Sequence, residues 1–177
     1  MYTQLLHYIC NWFNQNNVPY MVTGSVALNT YALPRSTFDI DIVIEMPFQK
    51  IEDFLQLFSG NFYINEQTAK AELYHKGIGM FNVIDHSSGY KVDFIIKQHT
   101  PYELVKFHNR KTIIFEQVPV SICSPEDLVI SKLQWIQELQ SERQMNDIKS
   151  LLLYPDLNRA YIVHWIQELQ LQTFGLI

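Results

Sequence analysis

The segment DIDIVI, Asp39 to Ile44, limits what this chain can become more than any other feature. Its β-branched aliphatics ask for a strand, and a strand sends successive side chains to opposite faces. Ile40, Ile42 and Ile44 then share one face fit for a core, while Asp39 and Asp41 are presented together on the other. Two like charges one strand repeat apart repel, and neither is easily buried without a partner. Either the aspartates lie on the solvated face of an edge strand, which needs no ligand, or a bound cation compensates them. Hard divalent ions such as Mg²⁺ accept carboxylate oxygens and keep room for water and substrate phosphates.

A third carboxylate, Asp93 in KVDFII, interrupts another apolar strand in the same manner. Were the two strands neighbours, three carboxylates would converge as in a two-metal site, where ions about 3.5–4 Å apart serve an in-line displacement. Upstream, Gly24 permits close backbone approach and Ser25 supplies a hydroxyl, at a helix N-terminus that favours phosphate. Gly-Ser by itself also starts ordinary helices.

Periodicity orders the rest of the chain. Leu5, Leu6, Ile9, Trp12 and Phe13 predict a first helix that ends at Asn16-Asn17, before a short strand in PYMVTG. A second helix runs from Gly24 through Tyr31 and stops at Leu33-Pro34, and the strand Phe38 to Ile44 follows. Phe48 to Phe58 reads as helix, Phe62 to Ile64 as strand, and Thr68 to His75 as helix. Met80 to Asp85 and Tyr90 to Ile96 flank the hairpin-like DHSSG, and Lys111 to Phe115 pairs with Val118 to Ile122 across Glu116-Gln117. Ser124-Pro125-Glu126-Asp127 is a helix start, with Ser124 as N-cap, and helices dominate from there. WIQELQ occurs at Trp135 and again at Trp165, but two copies without flanking similarity do not make a repeat architecture. Trp12, Trp135 and Trp165 read as helix-core residues, with stacking on a base the lesser alternative, and His75, His86, His99 and His108 as surface residues.

Composition excludes several classes. A net charge of −5 argues against a protein devoted to gripping nucleic acid. Lys97 to Lys111 is locally basic, with Lys97, Lys106, Arg110 and Lys111 against Glu103, and reads as a solvated helix face or as an RNA contact. No apolar run approaches the roughly 20 residues of a membrane span, and the N-terminus fits an amphipathic helix better than a signal peptide. Cys10 and Cys123 lie far apart in apolar contexts, as reduced core residues of a cytoplasmic protein do.

TGSVALNTYALPRSTFDIDIVI, with Asp93 in KVDFII, resembles the nucleotidyltransferase superfamily whose fold is shared with DNA polymerase beta. Arg35-Ser36-Thr37 before the aspartates, SPEDLVISKL downstream and SERQMNDIKSLL in the tail are similar to small bacterial nucleotidyltransferases related to abortive-infection and toxin–antitoxin enzymes. One departure is Thr23-Gly24-Ser25, where many relatives read Gly-Gly before the helix; the Gly-Ser form of the wider superfamily is kept. The resemblance implies an α+β fold, a mixed sheet flanked by helices, with residues 1–123 as core and 124–177 as a helical extension packed on it. It implies that Asp39, Asp41 and Asp93 are catalytic and bind two Mg²⁺ ions, Mn²⁺ being the alternative, with Asp93 also helping to deprotonate the acceptor. Gly24 and Ser25 would hold the β- and γ-phosphates of a nucleoside triphosphate such as ATP, and Lys132 would reach its phosphates. Arg35 would either pair a phosphate or form a surface salt bridge, and Thr37 would satisfy the strand edge. Arg143 and Asp147, four apart, share a helix face and are expected to pair along it, a substrate role being the alternative. The implied activity moves a nucleoside monophosphate to a hydroxyl of RNA, a protein side chain or a small molecule, with release of pyrophosphate. The rival is a non-catalytic nucleotide-binding module that occupies a partner protein.

Overall fold

The computed structural model describes residues 2–75 and 79–177. Helix α1 (Tyr2–Asn16) leads into β1 (Tyr20–Thr23), α2 (Gly24–Tyr31) and β2 (Asp39–Ile44). A short 3₁₀ turn at Phe48–Lys50 precedes α3 (Ile51–Gln56), followed by β3 (Phe62–Ile64) and α4 (Glu66–His75). The hairpin of β4 (Met80–Asp85) and β5 (Lys91–Ile96) comes next, then α5 (Pro101–His108) and a second hairpin, β6 (Lys111–Phe115) with β7 (Val118–Ile122). The chain ends in α6 (Pro125–Glu138), α7 (Glu142–Leu151) and α8 (Arg159–Glu168).

All seven strands join one sheet in the order β3-β4-β5-β2-β1-β7-β6. β1 runs antiparallel to β2 and parallel to β7, and β2 runs parallel to β5, so the sheet is mixed. The expected α+β architecture is therefore the observed one. Two local expectations shift. The helix predicted from Phe48 splits into a 3₁₀ turn and α3, and α4 begins at Glu66, before Thr68, because the Asn65 side chain accepts from the Thr68 amide at 3.0 Å.

The strand alternation decides where the core lies. Ile40, Ile42 and Ile44 are fully buried together with Phe94 and Val92 of β5. Phe94 meets Phe13 of α1 and Phe54 of α3, with ring centroids 6.4 and 5.1 Å apart. Each such aromatic pair adds about 0.5–1.5 kcal/mol beyond the area it buries. Aromatic packing thus holds α1 and α3 on one face of β2 and β5, which leaves the aspartate face to the opposite side.

Ser124 caps α6 as expected, its Oγ accepting from the Asp127 amide at 3.1 Å. The Asp127 carboxylate is fully buried and accepts from Ser124, from Tyr102 of α5 and from Tyr161 of α8. One capping motif thereby anchors three helices to each other. Burial raises the Asp127 pKa, although these hydroxyls offset part of the rise. Cys10 and Cys123 are free and buried, and burial pushes both thiols up to about 12, which removes them from nucleophilic chemistry.

Candidate active site

β2 and β5 pair in parallel with Asp41 opposite Asp93 and Asp39 opposite Lys91. Side chains opposite each other in a register share a face, so three carboxylates and one ammonium occupy adjacent positions of two neighbouring strands. They line a cleft of about 510 Å³ with Gly24, Ser25, Arg35, Lys132 and Trp135. Every site residue expected from the sequence faces this one cleft.

The three aspartates differ in environment. Asp39 is exposed, Asp41 is half-buried, and Asp93 is buried. Asp41 feels desolvation first and then the charges of Asp93 and Asp39, which together push its pKa up to about 6 despite Lys91 and Lys132. Thr37 satisfies the start of β2, its Oγ1 accepting from the Asp39 amide at 3.2 Å and donating to the Asp39 carbonyl at 3.1 Å.

Gly24 opens α2 directly after β1, whose Thr23 lies opposite Asp41. Its φ of +60° is left-handed, and a Cβ there would come within 1.9 Å of Asp41 Oδ2. Only glycine fits, for both reasons. The N-terminus of α2, with its unpaired amides, is therefore brought against the carboxylate row.

On the other wall stands a network that the sequence did not suggest. Asp147 of α7 accepts from Arg35 through Nε at 3.0 Å and Nη2 at 2.8 Å, and from Lys132 at 2.8 Å. Arg35 Nη2 also donates to Ser25 Oγ at 2.7 Å, and Lys132 to Gln144 at 2.8 Å. Burial opposes ionisation of Asp147, but Arg35 and Lys132 outweigh it and hold its pKa below the usual range. Burial lowers the Lys132 pKa, with Asp147 opposing.

Arg35 thus makes a forked pair with a buried carboxylate, neither free for a phosphate as it stands nor a surface salt bridge. The expected Arg143–Asp147 pair is corrected: Arg143 reaches the Ser36 carbonyl at 3.4 Å, because Asp147 faces inward to two cations. The helical i,i+4 rule identifies only partners on the same helix.

Trp135 is a second correction. It is 64% exposed at the cleft, although helical spacing predicted a core position, while Trp165 packs on Tyr102. The basic stretch is a third feature that changes. Lys97 pairs with Glu45, buried Lys106 with Glu103, and Arg110 stacks on Phe107, so three of its four cations are already engaged. His86, His99 and His108 are exposed as expected, and the His75 side chain lies outside the described residues.

Lys91 was the residue missed. Its Nζ lies 2.7 Å from Asp93 Oδ2 and 3.5 Å from Asp39 Oδ1, and the hydrogen bond to Asp93 raises its pKa. The signal was present, since Lys91 precedes Asp93 by one strand repeat in KVDFII. Among the described residues, no three His, Cys, Asp or Glu side chains are gathered closely enough to hold an ion as they stand. The donor set nevertheless suits a hard cation: three oxygen-bearing carboxylates, with Asp93 Oδ1 buried and lacking a hydrogen-bond partner.

No protein-family model matches the sequence, and no curated protein is similar to it in sequence. Solved structures are similar in fold. ANT(2'')-Ia in complex with adenylyl-2''-tobramycin superposes with a TM-score of 0.65 at 13% identity, over 95% of this chain and 96% of that one. An antigenic nucleotidyltransferase-like protein from Paracoccidioides brasiliensis gives 0.57 at 17% identity, over 94% and 87%. The lincosamide antibiotic adenylyltransferase LnuA, lincomycin-bound, gives 0.56 at 14% identity, over 83% and 94%.

Proposed function

Given a chain with the nucleotidyltransferase fold, we propose that it is a metal-dependent nucleotidyltransferase that acts on a hydroxyl acceptor. The observation that carries this reading is the pairing of Asp41 opposite Asp93, with Asp39 one strand repeat away and Gly24 pressed against Asp41. In the proposed reaction an acceptor hydroxyl oxygen bonds to the α-phosphorus of a nucleoside triphosphate. The bond from that phosphorus to the bridging oxygen breaks, pyrophosphate leaves, and the hydroxyl proton passes to Asp93.

Asp39, Asp41 and Asp93 are the residues that would hold two Mg²⁺ or Mn²⁺ ions, which when bound neutralise phosphate charge and acidify the acceptor hydroxyl. The α2 amides after Gly24 and the Ser25 hydroxyl bind the β- and γ-phosphates. Lys132 and Arg35 supply positive charge on the opposite wall, provided that the triphosphate draws them from Asp147. The second reading is a non-catalytic nucleotide-binding or interaction module, for instance one half of a toxin–antitoxin pair that works by occupying its partner; the engagement of Arg35 and Lys132 by Asp147 speaks for weak turnover, not for a particular partner.

The acceptor we favour is a small hydroxylated molecule, as with the tobramycin and lincomycin named for the similar structures. The engaged cations of the basic stretch weaken the case for RNA. Among the described residues no helix is long and apolar enough to cross a membrane, and the unpaired cysteines suit the cytoplasm. The test is transfer of label from α-³²P nucleoside triphosphates with Mg²⁺ into a host extract and a panel of hydroxylated antibiotics, with Asp39→Ala as control. Label on a small molecule, absent from the control, supports the reading; label lost to ribonuclease or protease reassigns the acceptor. Magnesium-dependent nucleotide binding with no transfer to any acceptor leaves the module reading in its place.

A further inference from the structure

Lys91 closes a four-cornered arrangement on β2 and β5: Asp39 opposite Lys91, and Asp41 opposite Asp93. Its ammonium touches Asp93 Oδ2 at 2.7 Å and reaches Asp39 Oδ1 at 3.5 Å. Three carboxylates against one ammonium leave two negative charges, which a single divalent ion balances. The two carboxylates bridged by Lys91 include Asp93, whose side chain is only 9% exposed and whose other oxygen has no hydrogen-bond partner. A cation approaching Asp93 therefore meets a positive charge already in hydrogen-bond contact with it.

We infer that Lys91 is a built-in cation that competes with the divalent ion at Asp93, so that the ion there binds fully only as Lys91 withdraws. The inference rests on the nucleotidyltransferase reading and deepens it by assigning a residue that weakens ion binding at Asp93. Lys91 has room to withdraw: its side chain is 39% exposed, and its four-carbon stem lets the ammonium swing away into water. It acts through the carboxylates, and is thus a positioning residue.

The experiment counts bound Mn²⁺ by the electron paramagnetic resonance signal of the free ion, in the presence of α,β-methylene-ATP, which cannot release pyrophosphate. Wild type is expected to bind one Mn²⁺ tightly and a second at least about tenfold more weakly. Lys91→Met removes the charge and keeps the stem, and it should tighten the second ion about tenfold or more; Lys91→Arg should keep the wild-type weakness. Circular dichroism confirms that both variants fold, as expected for a residue with an exposed side chain. Two ions of equal affinity in wild type, or a second ion unchanged or weakened in Lys91→Met, overturn the role of Lys91 while the nucleotidyltransferase reading stands. No Mn²⁺ bound by any variant with the nucleotide analogue overturns both.

Discussion

Asp41→Asn should stabilise the metal-free protein while removing its activity. Asp41 is the half-buried carboxylate between Gly24 and Asp93, and its pKa rises from 3.8 to about 6 through desolvation and the charges of Asp93 and Asp39. The native state therefore holds this proton to higher pH than the unfolded chain does, and stability falls as pH rises through that interval. At 1.36 kcal/mol per pH unit the interval corresponds to about 3 kcal/mol, reached above pH 7, and water at the half-open cleft screens it towards about 1–3 kcal/mol. Asparagine has the same shape and no charge, so the variant avoids that loss. Urea denaturation with EDTA at pH 4.5 and 7.5 measures it: a variant about 1–3 kcal/mol more stable at the higher pH, and about a third of that difference at the lower, where the unfolded carboxyl is already mostly ionised. Mg²⁺ should narrow the gap by compensating the wild-type carboxylates. A variant less stable than wild type at pH 7.5, or a gap of the same size at both pH values, would refute the electrostatic account.

Further expectations concern the walls of the cleft. Gly24→Ala should cost at least about 2 kcal/mol and abolish nucleotide binding, since the left-handed φ and the approach to Asp41 act together; thermal unfolding and nucleotide titration check this. Asp147→Asn leaves Arg35 and buried Lys132 short of negative charge and should cost about 3–5 kcal/mol at pH 7. Because the native Asp147 pKa is lowered, that contribution is present above the unfolded pKa and fades as pH falls, so the wild-type and Asp147→Asn denaturation curves should converge in acid. Ser124→Ala removes both the α6 cap and a donor to Asp127, and should cost about 1–2 kcal/mol, with hydrogen exchange accelerated first in α6 and α8. Lys106→Gln should lower stability and leave any RNA affinity unchanged, measured by denaturation and filter binding, because Lys106 is buried on Glu103.

The sequence by itself determined what depends on neighbours along the chain. Alternation in DIDIVI assigned Ile40, Ile42 and Ile44 to the core and the aspartates to the opposite face, and Ser-Pro-Glu-Asp marked the start of α6. These are short-range rules of pleat and cap, so they are written in consecutive residues. Lys91 belonged with them, since the same alternation places it on the face of Asp93. Only the tertiary structure decided which distant residues meet. Arg35 finds Asp147, 112 positions away, where helical spacing had offered Arg143. Trp135 and Trp165 occupy the same place in an identical hexapeptide, yet one faces the cleft and the other packs on Tyr102, because periodicity defines a face of a helix and not what lies across from it. The parallel register of β2 with β5, which sets Asp41 beside Asp93, also buries Ile42 opposite Phe94, and Phe94 packs against Phe13 of α1 and Phe54 of α3. Burial selects that register, and burial is a property of the whole fold.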